Sequence, residues 1–242
     1  MPPIAVLAGG LATRLGDLTR AVPKSMLVVA GKPFIVHQLA LFRRQGIRRV
    51  TLCVGHLSAQ LYDFVGDGAR FGLEVTYSAD GPALLGTGGA IRKALAFLGP
   101  EFLVTYGDSY LDIDYRAVVR AFQRSGKRGL MTVMHNDGRW DTSNVEFDNG
   151  HIVAYSKRNI TARMHHIDYG LAMLKAEALT GFPADHPFDL ADAYGALVSG
   201  QAMDGYLVTK RFYEIGSHVG LKETDAYLRR LSTDPDTHGH AR

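Results

Sequence analysis

Three observations predict an α/β fold with a mainly parallel sheet. Short apolar runs alternate with stretches of helical periodicity over the first half of the 242 residues. The first run, Ile4-Ala-Val-Leu-Ala8, is apolar throughout and opens into Gly9-Gly10, as expected of a central strand covered on both faces. The second half instead carries successive strand-like runs, with Asp148-Asn-Gly150 between two of them as a hairpin-turn signal. Antiparallel strands are therefore expected to extend the parallel block.

The elements follow in order. A helix is expected from near Pro33, where the missing N–H is harmless in a first turn, with Ile35, Leu39 and Phe42 on its inner face and Gly46 ending it. Val50–Val54 reads as the second strand. Ser58 suits a cap for the next helix, with Leu61, Phe64 and Val65 turned inward. Leu73–Tyr77 reads as a strand, Gly88–Leu98 as a helix and Phe102–Tyr106 as a strand. Strands and helices at this spacing make right-handed parallel crossovers. Asp114–Arg124 is helical in pattern. Leu130–His135, Asn144–Phe147, Ile152–Tyr155 and Ile167–Leu174 are strand-like, with few helices between them. No Pro/Ser/Gly linker divides the chain, so one domain is expected over residues 1–231, with lobes at about 1–125 and 126–231. The polar stretch 232–242 is expected to be a frayed tail.

Composition narrows the function. Hydrophobic residues make up 46% and charged residues 21%, ordinary values for a globular domain. The 27 Lys and Arg against 24 Asp and Glu give a net charge of +3, too even to imply nucleic-acid binding. Cys53 is the single cysteine, which excludes an intrachain disulfide and a four-thiolate zinc site. It sits mid-strand and reads as an inert buried thiol. The longest apolar runs, Ile4–Ala8 and Met26–Ala30, fall far short of the roughly 20 residues of a membrane helix. No charged segment precedes an apolar one at the N-terminus, so a cytoplasmic location is expected.

The informative segment is Leu7-Ala-Gly-Gly-Leu-Ala-Thr-Arg-Leu-Gly16, followed by Pro23-Lys24. It lies at the carboxyl end of a predicted parallel strand, where such sheets bind ligands. Glycines bring backbone N–H groups close to phosphate, Arg14 offers a planar two-donor fork and Lys24 a mobile point charge. This combination suits a polyphosphate. It is not a P-loop, since Gly31-Lys32 is followed by Pro33 and Met26 stands where the first glycine belongs. It is not the dinucleotide fingerprint either, since Gly9 and Gly10 are adjacent and the second strand ends in Val54-Gly55-His56. A plain tight turn is the competing reading.

Ala8-Gly-Gly-Leu-Ala-Thr-Arg-Leu15 with Pro23-Lys24 resembles the signature of sugar-1-phosphate nucleotidyltransferases. The chain's length, Leu85-Gly-Thr-Gly-Gly-Ala90 and Ile215-Gly216 resemble the heptose- and hexose-1-phosphate branch. The resemblance spans about residues 3–230. It implies a Rossmann-like three-layer sandwich with a mixed, mainly parallel sheet. Its substrates would be a nucleoside triphosphate and a sugar 1-phosphate, and its cofactor Mg²⁺. Neither nucleic acid nor membrane is implied as a partner, and a homo-oligomer is left open. Leu7, Ala8, Gly9, Gly10, Thr13, Arg14, Lys24, Gly86 and Thr87 are implied to bind the nucleotide, with Arg14, Lys24 and Asp108 catalytic. One departure is Ala12, where the family usually has glycine.

Asp108, in Thr105-Tyr-Gly-Asp-Ser109, follows an apolar strand, and a carboxylate there suits Mg²⁺, which takes oxygen ligands. A turn aspartate after glycine is the alternative. Glu214, in Phe212-Tyr-Glu-Ile-Gly216, stands where the family usually has the aspartate that completes the metal site. A surface glutamate on an edge strand is its alternative. Lys157 matches the lysine that holds the sugar phosphate, although Tyr155 and Ser156 replace the usual acidic residues before it. Asn144, Glu146, Tyr169 and Gly170 are the candidates for the sugar pocket, with Tyr169 equally suited to burial as an aromatic. Base choice is expected to rest on loop backbone contacts near Ala8 and 81–86, which no side-chain pattern reveals. His165 and His166, adjacent on a strand, point to opposite faces and cannot share a metal. Trp140 reads as packing or a lid contact. Two rival readings are a cytidylyltransferase acting on a non-sugar phosphate such as phosphocholine and a catalytically silent nucleotide-sugar-binding module.

Overall fold

The computed structural model describes residues 1–10, 13–55, 57–81, 83–184 and 186–233, and the side chains of these except Thr13, Arg14 and Asp17. In chain order the elements are β1 (Ile4–Leu7), β2 (Val28–Val29), β3 (Lys32–Pro33), α1 (Phe34–Arg44), β4 (Arg49–Val54), α2 (Ser58–Val65), β5 (Glu74–Ala79), α3 (Gly86–Ala94), β6 (Glu101–Tyr106), β7 (Ser109–Tyr110) and α4 (Tyr115–Ser125). The second half adds β8 (Gly129–His135), β9 (Val145–Asp148), β10 (His151–Tyr155), β11 (His166–Lys175), α5 (Leu190–Ser199), β12 (Met203–Val208), β13 (Tyr213–Glu214) and α6 (His218–Thr233).

Nine of these strands form one sheet among the described residues. Strands β5, β4, β1 and β6 lie side by side and parallel. The antiparallel strand β11 joins that block on the far edge of β6, and β8 and β9 pair with β11. Strand β12 runs parallel to β8. Apolar residues alternate across the sheet, so each face has its own core. Ile4, Val6 and Leu52 point toward helices α1, α2, α4 and α6. Ala5, Cys53 and Val104 point toward α3 and α5. Two apolar faces must both be covered, and three layers result.

Local chemistry sets the boundaries. Asp114 caps α4 by accepting from the Arg116 and Ala117 amides. Ile35, Leu39 and Phe42 are buried as their spacing predicts. Pro33 precedes α1 as its cap residue rather than sitting in its first turn. The Asp148-Asn-Gly150 turn joins antiparallel β9 and β10, with φ of 48° at Asn149 and 87° at Gly150.

Two further expectations need correction. Ser58 does not cap α2: Leu57, at φ 60°, holds the cap position, Ser58 is the first helical residue, and no side chain caps the end. Phe64 is only half-buried. The runs between 130 and 174 follow one another with no α-helix between them, as expected, and beyond them α5 covers one face of the sheet and α6 the other. Strand β12 returns parallel to β8 because the α5 crossover carries the chain back along the sheet. None of the described helices is long and apolar enough to cross a membrane. Of the expected tail, Ser232 and Thr233 belong to α6, and 234–242 lie outside the described residues.

Candidate active site

The register of the parallel strands builds the site. Leu7 lies beside Cys53 of β4 and Tyr106 of β6, so three strands end level. The Ala8 amide donates to the Cys53 carbonyl at 2.8 Å, and the Gly107 amide donates to the Leu7 carbonyl at 2.9 Å. Gly9 then passes so close to Gly55 that a Cβ on it would lie 3.0 Å from the Gly55 nitrogen. Glycine at this turn is a steric requirement. A cavity opens above these strand ends.

Leu7, Ala8, Gly9 and Gly10 line that cavity from β1, Lys24 and Ser25 from the following loop, and Gly86 and Thr87 from α3. Tyr106, Gly107 and Asp108 close it from β6. The wall is largely apolar below and charged at its rim. Ser25 Oγ is buried in this wall and has no hydrogen-bond partner among the described residues. Ala12 and the side chains of Thr13 and Arg14 lie outside the described residues.

A second cavity adjoins the first. Tyr106 and Asp108 line both. Asn144, Lys157, Tyr169 and Gly170 line the second, as do Trp140 and Asp168. Tyr169 is also buried to 2% exposure and packs edge-on against Phe212, so it is a core aromatic that reaches the cavity wall. Glu146 is not in the described lining of either cavity. Its carboxylate pairs with Arg163 at 2.9 Å.

Charge concentrates where the cavities meet. Lys24 Nζ donates to Asp108 Oδ2 at 2.9 Å. Glu214 reaches the same place because β13 pairs antiparallel with β7, setting Glu214 beside Ser109, and because the Ile215 amide donates to the Asp108 carbonyl at 2.9 Å. Glu214 lines the second cavity with Asp108. Its carboxylate accepts from Ser217 Oγ at 2.7 Å and from the Gly216 amide. A Cβ on Gly220 would fall on this carboxylate, so the start of α6 holds it in place. Among the described residues no three His, Cys, Asp or Glu side chains gather as a metal site. Two carboxylates with free lone pairs are nonetheless the donor set that suits Mg²⁺, which takes one or two protein carboxylates and fills its shell with phosphate and water.

Two further acids bear on the second cavity, Asp168 in its lining and Asp189 through Lys157. Asp168 accepts from the Gly170 amide at 3.0 Å, and burial pushes its carboxyl up to about 6. Asp189 caps α5 and lies 3.2 Å from Lys157 Nζ. Burial opposes its charge, but the Ala191 amide, Lys157 and Thr87 together hold its carboxyl below the ordinary value. Asp80, in the lining of the first cavity, is raised by burial.

Sequence reading missed Asp80, Asp168 and Asp189. Asp189 carried a usable signal, an aspartate just before the helical run Leu190-Ala-Asp-Ala193. Asp80 had another, a carboxylate at the end of a predicted parallel strand. Asp168 had none beyond being an acid inside an apolar strand. Trp140, read as packing or a lid contact, lines the second cavity under the Arg211 guanidinium, 3.9 Å from the ring centre.

Comparison with known proteins adds the following. The family model described as nucleotidyl transferase matches residues 4–155, more than half of the chain. A UTP–glucose-1-phosphate uridylyltransferase of Synechocystis is 26% identical over 212 residues, covering 80% of this chain and 54% of the relative. An N-acetylmuramate α-1-phosphate uridylyltransferase of Neisseria meningitidis is 39% identical over 119 residues, covering 49% of this chain and 50% of the relative. A D-glycero-α-D-manno-heptose 1-phosphate guanylyltransferase of Campylobacter jejuni is 29% identical over 188 residues, covering 77% and 82%. The chain thus spans about half the length of the first two. Among solved structures, HddC of Yersinia pseudotuberculosis superposes with a TM-score of 0.78 at 21% identity, over 94% of this chain and 100% of that one. This last likeness concerns the fold.

Proposed function

The chain belongs to the nucleotidyl transferase family, and on that premise we propose that it transfers a nucleoside monophosphate from a nucleoside triphosphate to a sugar 1-phosphate, releasing pyrophosphate. One observation carries the reading: two cavities share a wall at Tyr106 and Asp108, with Lys24 paired to Asp108 at that wall. A two-substrate transfer needs such an arrangement, because the attacking oxygen and the α-phosphorus must meet at one point.

In this reading the sugar phosphate attacks the α-phosphorus in line and pyrophosphate leaves. A phosphate dianion is already nucleophilic, so no strong general base is required. Catalysis then consists of positioning and charge neutralisation. The Gly9 and Gly10 amides line the cavity in which the triphosphate would lie. Lys24 neutralises charge growing on the α-phosphate, and Arg14 is assigned to the departing pyrophosphate from its motif position. Lys157 anchors the sugar phosphate from the far wall of the second cavity. Asp108 and Glu214 would hold Mg²⁺, which when bound offsets the negative charge of the phosphates.

The acceptor reading favours a sugar phosphate over phosphocholine. Arg211 already lies over the Trp140 ring, so one aromatic face of the cage that a quaternary ammonium would need is taken by a cation. The relatives' names span uridylyl, guanylyl, thymidylyl and cytidylyl transfer, so the base is left to experiment. The test is pyrophosphate release over four nucleoside triphosphates crossed with a panel of sugar 1-phosphates, in Mg²⁺. One pair should dominate. Nucleotide binding with no release for any pair would replace the transferase with a silent binding module.

A further inference from the structure

Asp189 gathers hydrogen bonds from both cavities. Its Oδ1 accepts from Thr87 Oγ1 at 2.9 Å, from Lys157 Nζ at 3.2 Å and from the Ala191 amide at 2.9 Å. Thr87 lines the nucleotide cavity and Lys157 the second cavity. The Thr87 hydroxyl is committed on both sides, because it also accepts from the Leu190 amide at 2.8 Å. Its proton goes to Asp189 and its lone pair to α5. The hydroxyl is therefore a strut between two walls. Phe188 reinforces the joint, since its carbonyl accepts from the Gly88 amide at 2.9 Å.

We propose that Asp189 is a positioning residue that holds Lys157 toward the acceptor phosphate and links it, through Thr87, to the nucleotide cavity. The proposal rests on the transferase reading above. A lysine stem is long and flexible, so an untethered Lys157 must be ordered each time the acceptor binds. One Nζ proton can stay on Asp189 while the other two reach the phosphate. Because Thr87 and Lys157 share one carboxylate oxygen, a nucleotide that fixes the start of α3 also fixes the lysine. Binding of either substrate should then favour the other by the same factor.

Two variants test this on the full chain. Asp189→Asn keeps the cap of α5, since asparagine caps as well as aspartate, but removes the charge that holds Lys157. With wild-type turnover established, the acceptor KM should rise roughly tenfold, as for loss of a charge-assisted hydrogen bond, while the triphosphate KM stays within about twofold. A fall in acceptor KM would overturn the proposal, because Asp189 would then only be cancelling the lysine's charge. Thr87→Val keeps the shape and deletes the hydroxyl. It should raise the acceptor KM measured at saturating triphosphate, because the tether on Lys157 is loosened. A rise in the triphosphate KM alone would overturn the link. The double variant should cost about as much as Asp189→Asn alone, since both break one chain of bonds. Additive costs would count against the shared path. If Asp189→Asn fails to fold, as judged by thermal unfolding, Thr87→Val decides. Wild-type protein without pyrophosphate release would reject the transferase reading itself, an outcome separate from any of these.

Discussion

Lys24 and Asp108 lie 84 positions apart in the chain, yet their side chains meet at 2.9 Å where the two cavities join. Both are partly exposed, at 18% and 26%. A pair this wet contributes only about 0–1 kcal/mol to stability. Its position, not its energy, is what matters, and stability and activity should separate on mutation. Asp108→Asn should lower pyrophosphate release by about 10²–10³-fold, the scale of losing one preorganised charge at a reacting centre. Its melting temperature should stay within about 4 °C of wild type. Steady-state kinetics beside thermal unfolding checks both. An inactive variant that also unfolds early would make Asp108 a structural residue.

Gly86 begins α3 at φ +70°, and a Cβ there would lie 2.6 Å from the Phe188 carbonyl oxygen. Alanine meets two penalties at once, a left-handed backbone and a collision with backbone that cannot rotate away. Gly86→Ala should cost about 1–3 kcal/mol. The melting temperature then falls by several degrees, and the triphosphate KM rises because this turn walls the nucleotide cavity. Calorimetry and kinetics on one preparation test it. An unchanged melting temperature would mean that 186–188 yields to the new methyl.

The turn that walls the first cavity was legible because local chemistry fixes it. A buried strand entering Gly9-Gly10 needs no distant partner to be recognised, and Leu85-Gly-Thr-Gly-Gly-Ala90 announces a turn into a helix. The acceptor side depends on long-range contacts. Glu214 comes to Asp108 only through the β7–β13 pairing, which neither two-residue strand signals by itself. Glu146 shows the same limit in reverse. Named as a sugar-pocket candidate, it lies outside the described lining of both cavities, and its Oε1 pairs with Arg163, 17 positions on. Helix α5 was invisible as a site element for a related reason: its cap, Asp189, acts on Thr87 and Lys157 across the fold.

The raised Asp168 carboxyl fixes a pH dependence. Burial disfavours its charge, so its folded value of about 6 lies above the ordinary aspartate value near 4. The folded state binds this proton more tightly than the unfolded state. Its stabilising effect is full below pH 4 and is lost as pH rises through 6. Asp168→Asn preserves an acceptor for the Gly170 amide and removes the titration. The variant should gain stability relative to wild type between pH 5 and pH 7.5. Denaturant midpoints at those two values check the sign. An equal difference at both would place the Asp168 titration elsewhere.

Cys53 offers a probe of the cavity floor. Its thiol is 1% exposed, and burial, with the nearby Asp80 charge, pushes it up to about 12. Thiolate is the reactive form, so native protein at pH 8 should resist alkylation. Full labelling should follow in denaturant. Cys53 lies beside Leu7 in the β1–β4 register, and its carbonyl takes the Ala8 amide, so any native-state labelling must report opening of these strand ends. A nucleoside triphosphate bound above them opposes that opening by its binding energy, and saturating triphosphate should slow the residual labelling further. Sugar 1-phosphate alone, bound in the second cavity away from Cys53, should slow it less. Fast labelling of the native protein, or equal protection by both ligands, would move the nucleotide away from the Leu7–Gly10 turn.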